Sequence, residues 1–248
     1  MSQVKILFLA ANTIASHVVL TPPNATPMPG ERANFKVNVG NTRTKLLDLI
    51  VSIATLAKVA VYADSAVEIA TILSAIYPAA TKACASVIPL LPVRFFAAAA
   101  NVGQNIHITL PFTVGWLLIV GGAAIRVTCY RYLGRHFTFE LALRKEHKLI
   151  TSGPYSVVRH PSYTGSIMFA LGRLLCMFDE GSLWIQCGIF QSILGKAIGS
   201  TAVFLAVFAI FSFIGRTRAE DDMLKREFGQ QWVVWADRTP YRLIPYLY

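Results

Sequence analysis

Two polar segments contain most of the side chains in this sequence that could carry out chemistry. In the first, residues 147–165, Pro161 suits the first turn of a helix and leaves His160 near the helix N-terminus. Exposed amides at a helix N-terminus favour an anion such as a carboxylate or a phosphate, and Arg159 and His160 would add donors. The spacing is equally compatible with Arg159 and His160 anchoring the chain among lipid headgroups.

The second polar segment, residues 216–229, contains a charged pair at helical spacing. Arg216 and Glu220 are four residues apart and share a face if a helix continues out of the apolar run before them. Such a pair is most often a solvated salt bridge. Here it stands where a long apolar helix would leave a membrane, which favours a functional role. Gly229 is expected to end that helix.

The composition indicates which kind of fold must position these segments. Of 248 residues, 54% are apolar and 15% are charged, against about 25% charged in an average soluble domain. The sequence therefore predicts an integral membrane protein and argues against a secreted disulfide scaffold, a disordered chain and an ordinary cytosolic enzyme. The net charge of +10 indicates a cytoplasmic face rather than a nucleic-acid partner. The scattered cysteines, expected to be small buried residues rather than metal ligands, are Cys84, Cys129, Cys176 and Cys187.

Long apolar runs predict an all-α polytopic membrane protein with about five to six transmembrane helices. The runs are Val4–Leu20, Leu46–Tyr77, Ile108–Ile125, Tyr163–Phe178 and Leu183–Gly215, with residues 84–105 as a sixth span or a re-entrant turn. Charges within the second run indicate that part of it is buried against protein or leaves the bilayer. Pro111 is expected to kink its helix, and the last run is long enough to tilt or to protrude. We favour five spans.

The turn at residues 179–182 makes the last two runs an antiparallel hairpin. Two crossings return the chain to its starting side, so residues 126–160 and 216–248 are predicted to share a face. Their excess of Lys and Arg places that face in the cytosol. With five spans the loop at residues 21–45 is cytosolic too, whereas a sixth span would make it lumenal and allow glycosylation of the sequon at Asn24.

Three motifs follow one another in the C-terminal half. They are Gly153-Pro-Tyr-x3-Arg-His-Pro-Ser-Tyr-x-Gly165, Arg216-x3-Glu-Asp-x2-Leu224 and Phe228-Gly-x2-Trp-x2-Trp-x2-Arg-x-Pro-x3-Ile-Pro245. This combination closely resembles the isoprenylcysteine carboxyl methyltransferase family, over about residues 126–248. The resemblance implies a catalytic region at residues 106–248, with residues 1–105 supplying N-terminal membrane helices.

The resemblance also implies S-adenosyl-L-methionine as the cofactor, on the cytosolic side of the endoplasmic reticulum membrane. The acceptor would be the C-terminal carboxylate of prenylated proteins or prenylcysteine lipids, which reach the site from the membrane lipid. The residues implied to line the cofactor pocket are His147, Lys148, Leu149, Ile150, Tyr155, His160, Pro161, Ser162, Tyr163 and Glu220. Arg216 matches the arginine that binds the acceptor, and Arg216 and Glu220 are the implied catalytic residues. Asp221 stands where the family more often has Glu, and Trp232 and Trp235 replace common tyrosines.

Related membrane families remain as alternatives. Phospholipid methyltransferases have a similar turn, and NADPH-dependent sterol or lipid reductases end in a segment similar to residues 240–248. The residues at 153–155 favour the methyltransferase, because reductases usually carry a bulky aromatic pair there. Ser162 does so as well, since it stands where reductases usually carry Asn. A catalytically inactive lipid-binding relative is a further reading, which the intact Arg216, Glu220 and His160 disfavour.

Overall fold

The computed structural model describes residues 2–25, 42–79, 101–139 and 148–248 and contains no strand within them. Its α-helices are α1 (Ser2–Leu20), α2 (Thr42–Ile76), α3 (Leu110–Leu133), α4 (Pro161–Met177), α5 (Leu183–Gln186), α6 (Ile193–Phe228) and α7 (Gln230–Arg238). Short 3-10 turns are Gly134–His136, Gly153–Ser156 and Ile189–Gln191. The predicted all-α fold is confirmed.

Helices in the described residues are long and apolar enough to cross a membrane at four places. These are Gln3–Leu20, Thr55–Ile76, Leu110–His136 and Ile193–Phe228. Helix α4 has 17 residues, which is the short limit for a crossing. The predicted polytopic membrane protein is therefore confirmed. The total of five to six spans stays a prediction, because most of the segment at 84–105 lies outside the described residues.

Two details of the predicted helices are wrong for local reasons. Pro111 is the second residue of α3 rather than a kink within it, and the first turn of a helix tolerates proline because its amide needs no intrahelical partner. The run from Leu183 is not one helix, since the left-handed backbone of Gly188 (φ 62°) and a 3-10 turn precede α6. The expected protrusion is present, because α6 continues through the polar segment to Phe228 and ends at Gly229 (φ 51°).

Contacts divide the chain into two compact units, each built from three separate segments. The first unit comprises Met1–Ser16, Val59–Val120 and Ala170–Val207, and the second comprises His17–Lys58, Gly121–Phe169 and Phe208–Tyr248. The proposed division of the chain at residue 105 concerns function, and it stays a prediction.

One buried and one partly buried ion pair connect segments of the first unit. Lys5 Nζ lies 2.8 Å from Glu68 Oε1 and also donates to the carbonyl of Gly181 at 2.8 Å. Arg173 Nη2 lies 2.9 Å from Asp64 Oδ2. Charged groups at membrane depth are costly unless they are paired inside the protein, and these pairs meet that condition. They confirm the prediction that the charged part of α2 packs against protein.

The second unit packs α3 closely against α4. The backbones approach at Gly122 and Gly165, where an added Cβ on either glycine would collide with the carbonyl of the other. Beside this contact lies an apolar cluster of Cys129, Phe137, Tyr155 and Trp235. The close helix contact and the cluster lie next to the described segments 134–139 and 148–160.

The cysteines differ in their surroundings. Cys129 and Cys176 are buried, as predicted, whereas Cys187 is exposed and the prediction is wrong there. Cys187 belongs to the turn after α5, a segment that the sequence had suggested was part of one long helix. Cys84 lies outside the described residues.

Candidate active site

A pocket in the second unit brings the two polar segments together. The predicted site residues that line it are Lys148, Leu149, Ile150, Tyr155, His160, Ser162, Tyr163, Arg216 and Glu220. Pro161 is buried in the first turn of α4 and is not among the lining residues, and His147 lies outside the described residues. Further lining residues that the sequence did not single out include Leu133, Phe137 and Thr138.

Arg216 and Glu220 are joined through a tyrosine on the facing helix. The hydroxyl of Tyr163 donates to Glu220 Oε2 at 2.7 Å and accepts from Arg216 Nε at 3.2 Å. Arg216 Nη2 also donates to the carbonyl of Phe139 at 2.7 Å. Helix α6 carries Arg216 and Glu220 on one face, as the spacing predicted, and Tyr163 orients both. The sequence had indicated Tyr163 only as a pocket wall.

His160 is oriented by Asp221, next to Glu220 on α6. His160 Nε2 lies 2.9 Å from Asp221 Oδ1, and His160 Nδ1 lies 3.8 Å from Glu220 Oε2. A carboxylate accepts hydrogen bonds only, so Nε2 carries a hydrogen and Nδ1 is the nitrogen that lies toward Glu220. Consecutive residues on a helix point about 100° apart, which lets Glu220 face the pocket while Asp221 faces the protein.

Asp221 also balances two arginines. Its Oδ2 accepts from Arg159 Nη2 at 3.3 Å and from Arg242 Nε at 2.9 Å, and the residue is only 3% exposed. From the sequence, Asp221 is apparent only as a departure from the family pattern. Because Asp221 follows Glu220 directly on a helix, the sequence could have indicated that Glu220 faces the pocket and Asp221 faces the protein interior.

Arg159 and His160 bind the C-terminal segment. Arg159 Nη1 donates to the carbonyls of Thr239 at 2.8 Å and Pro240 at 2.9 Å. The backbone amides of Arg159 and His160 donate to the carbonyls of Tyr241 and Arg242. Both side chains are buried, so the alternative that they only anchor the chain among headgroups is wrong. Those two amides are also occupied by the tail rather than presented to an anion.

An aromatic and aliphatic wall completes the pocket. Leu149, Ile150 and Leu224 pack against the apolar cluster that contains Trp235 and Tyr155. Trp235 Nε1 donates to the carbonyl of Tyr155 at 3.0 Å. The indole therefore packs in the wall and forms this hydrogen bond without the hydroxyl of the tyrosine that it replaces. Burial raises the pKa of the Tyr155 phenol well above its ordinary value, which keeps this side chain neutral.

The fold and this pocket define a polytopic α-helical membrane protein whose site combines an arginine, a glutamate, a tyrosine and a buried Asp–His pair. Residues 115–192 match the family model of the isoprenylcysteine carboxyl methyltransferase (ICMT) family. The resemblance recognised in the sequence is thereby confirmed for this part of the chain.

Curated relatives agree with the family match. The chain is 32% identical over 128 residues to protein-S-isoprenylcysteine O-methyltransferase B of Arabidopsis thaliana, covering 51% of this chain and 55% of that protein. It is 27% identical over 136 residues to protein-S-isoprenylcysteine O-methyltransferase of Mus musculus, covering 54% and 41%. The chain spans about half the length of the curated relatives it matches.

Sterol reductases are also similar to part of the chain. The chain is 28% identical over 106 residues to a probable 7-dehydrocholesterol reductase of Acanthamoeba polyphaga mimivirus, covering 43% of this chain and 20% of that protein. This likeness is weaker than that to protein-S-isoprenylcysteine O-methyltransferase B of Arabidopsis thaliana.

Proposed function

We propose that the chain transfers a methyl group from S-adenosyl-L-methionine to the C-terminal carboxylate of a prenylated cysteine. The observation that carries the proposal is the linked set Arg216–Tyr163–Glu220, in a pocket formed by the segments that carry the family motifs. The comparisons support the same activity. Residues 115–192 match the ICMT family model, and relatives from Arabidopsis thaliana and Mus musculus are named protein-S-isoprenylcysteine O-methyltransferases.

The residues of the pocket fit this cofactor. Glu220 offers an acceptor for an ammonium group or ribose hydroxyls, and Leu149, Ile150 and Trp235 offer apolar surface to an adenine ring. When bound, S-adenosyl-L-methionine would supply a methyl group on a positively charged sulfur. A prenylcysteine carboxylate is already ionised at neutral pH, so the chain needs no strong general base. The task of the protein is to position the carboxylate in line with the methyl group and to exclude water from it.

Arg216 would orient the acceptor carboxylate. Its Nε and Nη2 atoms are held by Tyr163 and by the Phe139 carbonyl, which fixes the plane of the guanidinium. A guanidinium of fixed plane suits a carboxylate, which it can bind in a defined direction. The hydrogen bond between Tyr163 and Glu220 in turn fixes the spacing between the acceptor and cofactor sides. Arg216 must orient the nucleophile without binding it so tightly that methyl transfer slows.

The acceptor and the membrane setting are also part of the proposal. The acceptors would be prenylated proteins or prenylcysteine lipids, with the prenyl chain in an apolar slot that opens to lipid. The pocket would face the cytosol at the endoplasmic reticulum membrane. Supporting this orientation, the polar segments at 126–160 and 216–248 are rich in Lys and Arg, as cytoplasmic segments usually are.

The decisive experiment is transfer of labelled methyl groups to N-acetyl-farnesylcysteine in membranes that contain the chain. We expect transfer by the wild type and loss of transfer in Arg216→Ala and Glu220→Ala at nearly unchanged expression. Matched controls on exposed positions of the same helix are Arg226→Ala and Glu227→Ala, which should keep the wild-type rate. Wild-type rates in Arg216→Ala and Glu220→Ala would remove the assignment of this site.

The likeness to reductases supports a second candidate, an NADPH-dependent sterol or lipid reductase. Calorimetry separates the two functions. Binding of NADPH without binding of S-adenosyl-L-methionine would replace the first proposal by the second. A phospholipid acceptor in the transfer assay tests the related phospholipid methyltransferase activity.

A further inference from the structure

Behind the pocket, α3 buries a guanidinium that the proposed mechanism does not use. Arg126 is only 4% exposed, within a helix that can span a membrane. Its Nη1 donates to Ser162 Oγ at 3.0 Å and to Ser166 Oγ at 2.6 Å, and its Nε donates to Tyr130 Oη at 2.9 Å. In the part of the chain that the structure describes, no carboxylate forms an ion pair with it. A guanidinium buried among neutral partners is costly to keep, which points to function.

The surroundings of Arg126 connect it to the pocket wall. Its guanidinium carbon lies 5.8 Å from the ring centre of Phe137 and 5.0 Å from that of Phe139. Phe137 lines the pocket, and the carbonyl of Phe139 holds Arg216. Arg126 therefore supports the same wall from behind, within the second unit.

The two serines that bind Arg126 differ in the direction of their own protons. Ser166 donates its proton back to the carbonyl of Ser162 at 3.1 Å and does not line the pocket. Ser162 lines the pocket, and the structure gives its hydroxyl no acceptor among the described residues. An arginine is a donor only, so the oxygen of Ser162 accepts from Arg126 and its proton must turn elsewhere.

We propose that Arg126 is a positioning residue that turns the Ser162 hydroxyl into a charge-assisted donor for a carboxylate bound in the pocket. A hydroxyl that accepts from a guanidinium is polarised and donates more strongly to an anion. The nature of the carboxylate rests on the proposed function: it belongs either to the methionyl part of the cofactor or to the prenylcysteine acceptor. These two sources have the same chemistry and can be separated by ligands that lack the group.

The test is calorimetry on the purified full chain with two ligand pairs. One pair is S-adenosylmethionine and its decarboxylated form, and the other is N-acetyl-farnesylcysteine and its methyl ester. We expect Ser162→Ala to weaken binding of one carboxylate ligand about tenfold, the loss typical of a hydrogen bond to a charged group, and to leave the partner that lacks the carboxylate unchanged. The affected pair identifies the source.

Three further variants distinguish a positioning role of Arg126 from general damage to the fold. Arg126→Met should reproduce the selective loss of affinity for the carboxylate ligand. Combining it with Ser162→Ala should add little, because both changes act on the same hydroxyl donor. Ser166→Ala alters the other serine that binds Arg126. It should change the affinities for ligands with and without the carboxylate by less than about twofold. Equal losses for ligands with and without the carboxylate, or equal losses in Ser162→Ala and Ser166→Ala, would overturn the inference.

The same measurements distinguish the role of Ser162 from the proposed function. A wild-type chain that binds S-adenosylmethionine and transfers methyl groups, with unchanged affinities in Ser162→Ala, overturns the role of Arg126 and Ser162 alone. A wild-type chain that binds neither carboxylate ligand and transfers no methyl group overturns the proposed function, and the role of Ser162 falls with it.

Discussion

Replacing Tyr163 by phenylalanine tests whether one hydroxyl couples the acceptor side of the pocket to the cofactor side. The hydroxyl donates to Glu220 at 2.7 Å and accepts from Arg216 at 3.2 Å, while the ring stacks between His160 and Phe213. Phenylalanine keeps the ring and its stacking and removes both hydrogen bonds. The change therefore isolates the coupling from the packing.

The size of the effect follows from what each partner keeps. A hydrogen bond to a charged group contributes about 1.5–3 kcal/mol, which corresponds to about a 10- to 100-fold change in rate. Arg216 retains the Phe139 carbonyl, and the side chain of Glu220 is 28% exposed, so water can replace part of what it loses. We therefore expect kcat/KM for N-acetyl-farnesylcysteine to fall about tenfold, at the lower end of that range.

Methyl transfer and thermal unfolding should be measured on the same detergent-purified samples. Tyr132→Phe is the control, since Tyr132 is 46% exposed in the same unit and does not line the pocket, and it should keep wild-type kcat/KM. An unfolding temperature close to that of the wild type would assign the loss to the site. A folded Tyr163→Phe variant with wild-type kcat/KM would refute the coupling of Arg216 to Glu220 through this hydroxyl.

Three more substitutions test the roles of Asp221 and Asn24. Asp221→Asn should lower the free energy of unfolding by about 3–5 kcal/mol, as expected when a buried charge loses its partner. Thermal unfolding measures this loss, and a transfer assay measures the accompanying loss of His160 orientation. Asn24 Nδ2 donates to the carbonyls of Gly134 and Phe137 at 2.8 and 3.0 Å, so Asn24→Asp should lower methyl transfer severalfold by placing a carboxylate against them. Thr26→Ala removes the sequon but keeps that amide, and it should leave both activity and electrophoretic mobility unchanged; a mobility shift would instead show that Asn24 carries a glycan.

The sequence predicted the parts of the molecule that depend on local pattern. Apolar runs located the helices, turn residues separated the last two runs, and the i,i+4 spacing placed Arg216 and Glu220 on one face. The break before α6 was missed because Gly188 and Ser192 lie within a run that is mostly apolar. In hydropathy alone, a turn at a membrane surface and a helix within the membrane can look the same.

The contacts that orient the site could not be predicted in the same way. Arg159 binds the carbonyls of Thr239 and Pro240, and Tyr163 binds Glu220, across long separations in the sequence. No periodicity records such pairs, since backbone carbonyls exist at every position. The family resemblance indicated most of the predicted residues that line the pocket, whereas only the structure shows that Asp221 orients His160 and that Arg126 lies behind Ser162.

Two adjacent glycines of α3, Gly121 and Gly122, have different surroundings at the contact with α4. A Cβ on Gly122 would collide with the carbonyl of Gly165 and lie 3.1 Å from the amide nitrogen of Phe169, both of them backbone atoms that cannot turn aside. A Cβ on Gly121 would meet only the terminal methyl of Met168, at 3.4 Å. Small residues at such contacts let membrane helices approach closely.

Gly122→Ala should therefore separate the two helices and lower the free energy of unfolding by about 1–3 kcal/mol, the usual cost of overpacking. Methyl transfer should fall as well, because α4 carries Ser162 and Tyr163 into the pocket. Gly121→Ala should be neutral or stabilise the protein by about 0.5–1 kcal/mol through its higher helix propensity. Thermal unfolding of both variants in the same detergent measures the difference. Equal unfolding temperatures would show that the close approach at Gly122 does not hold the site in place.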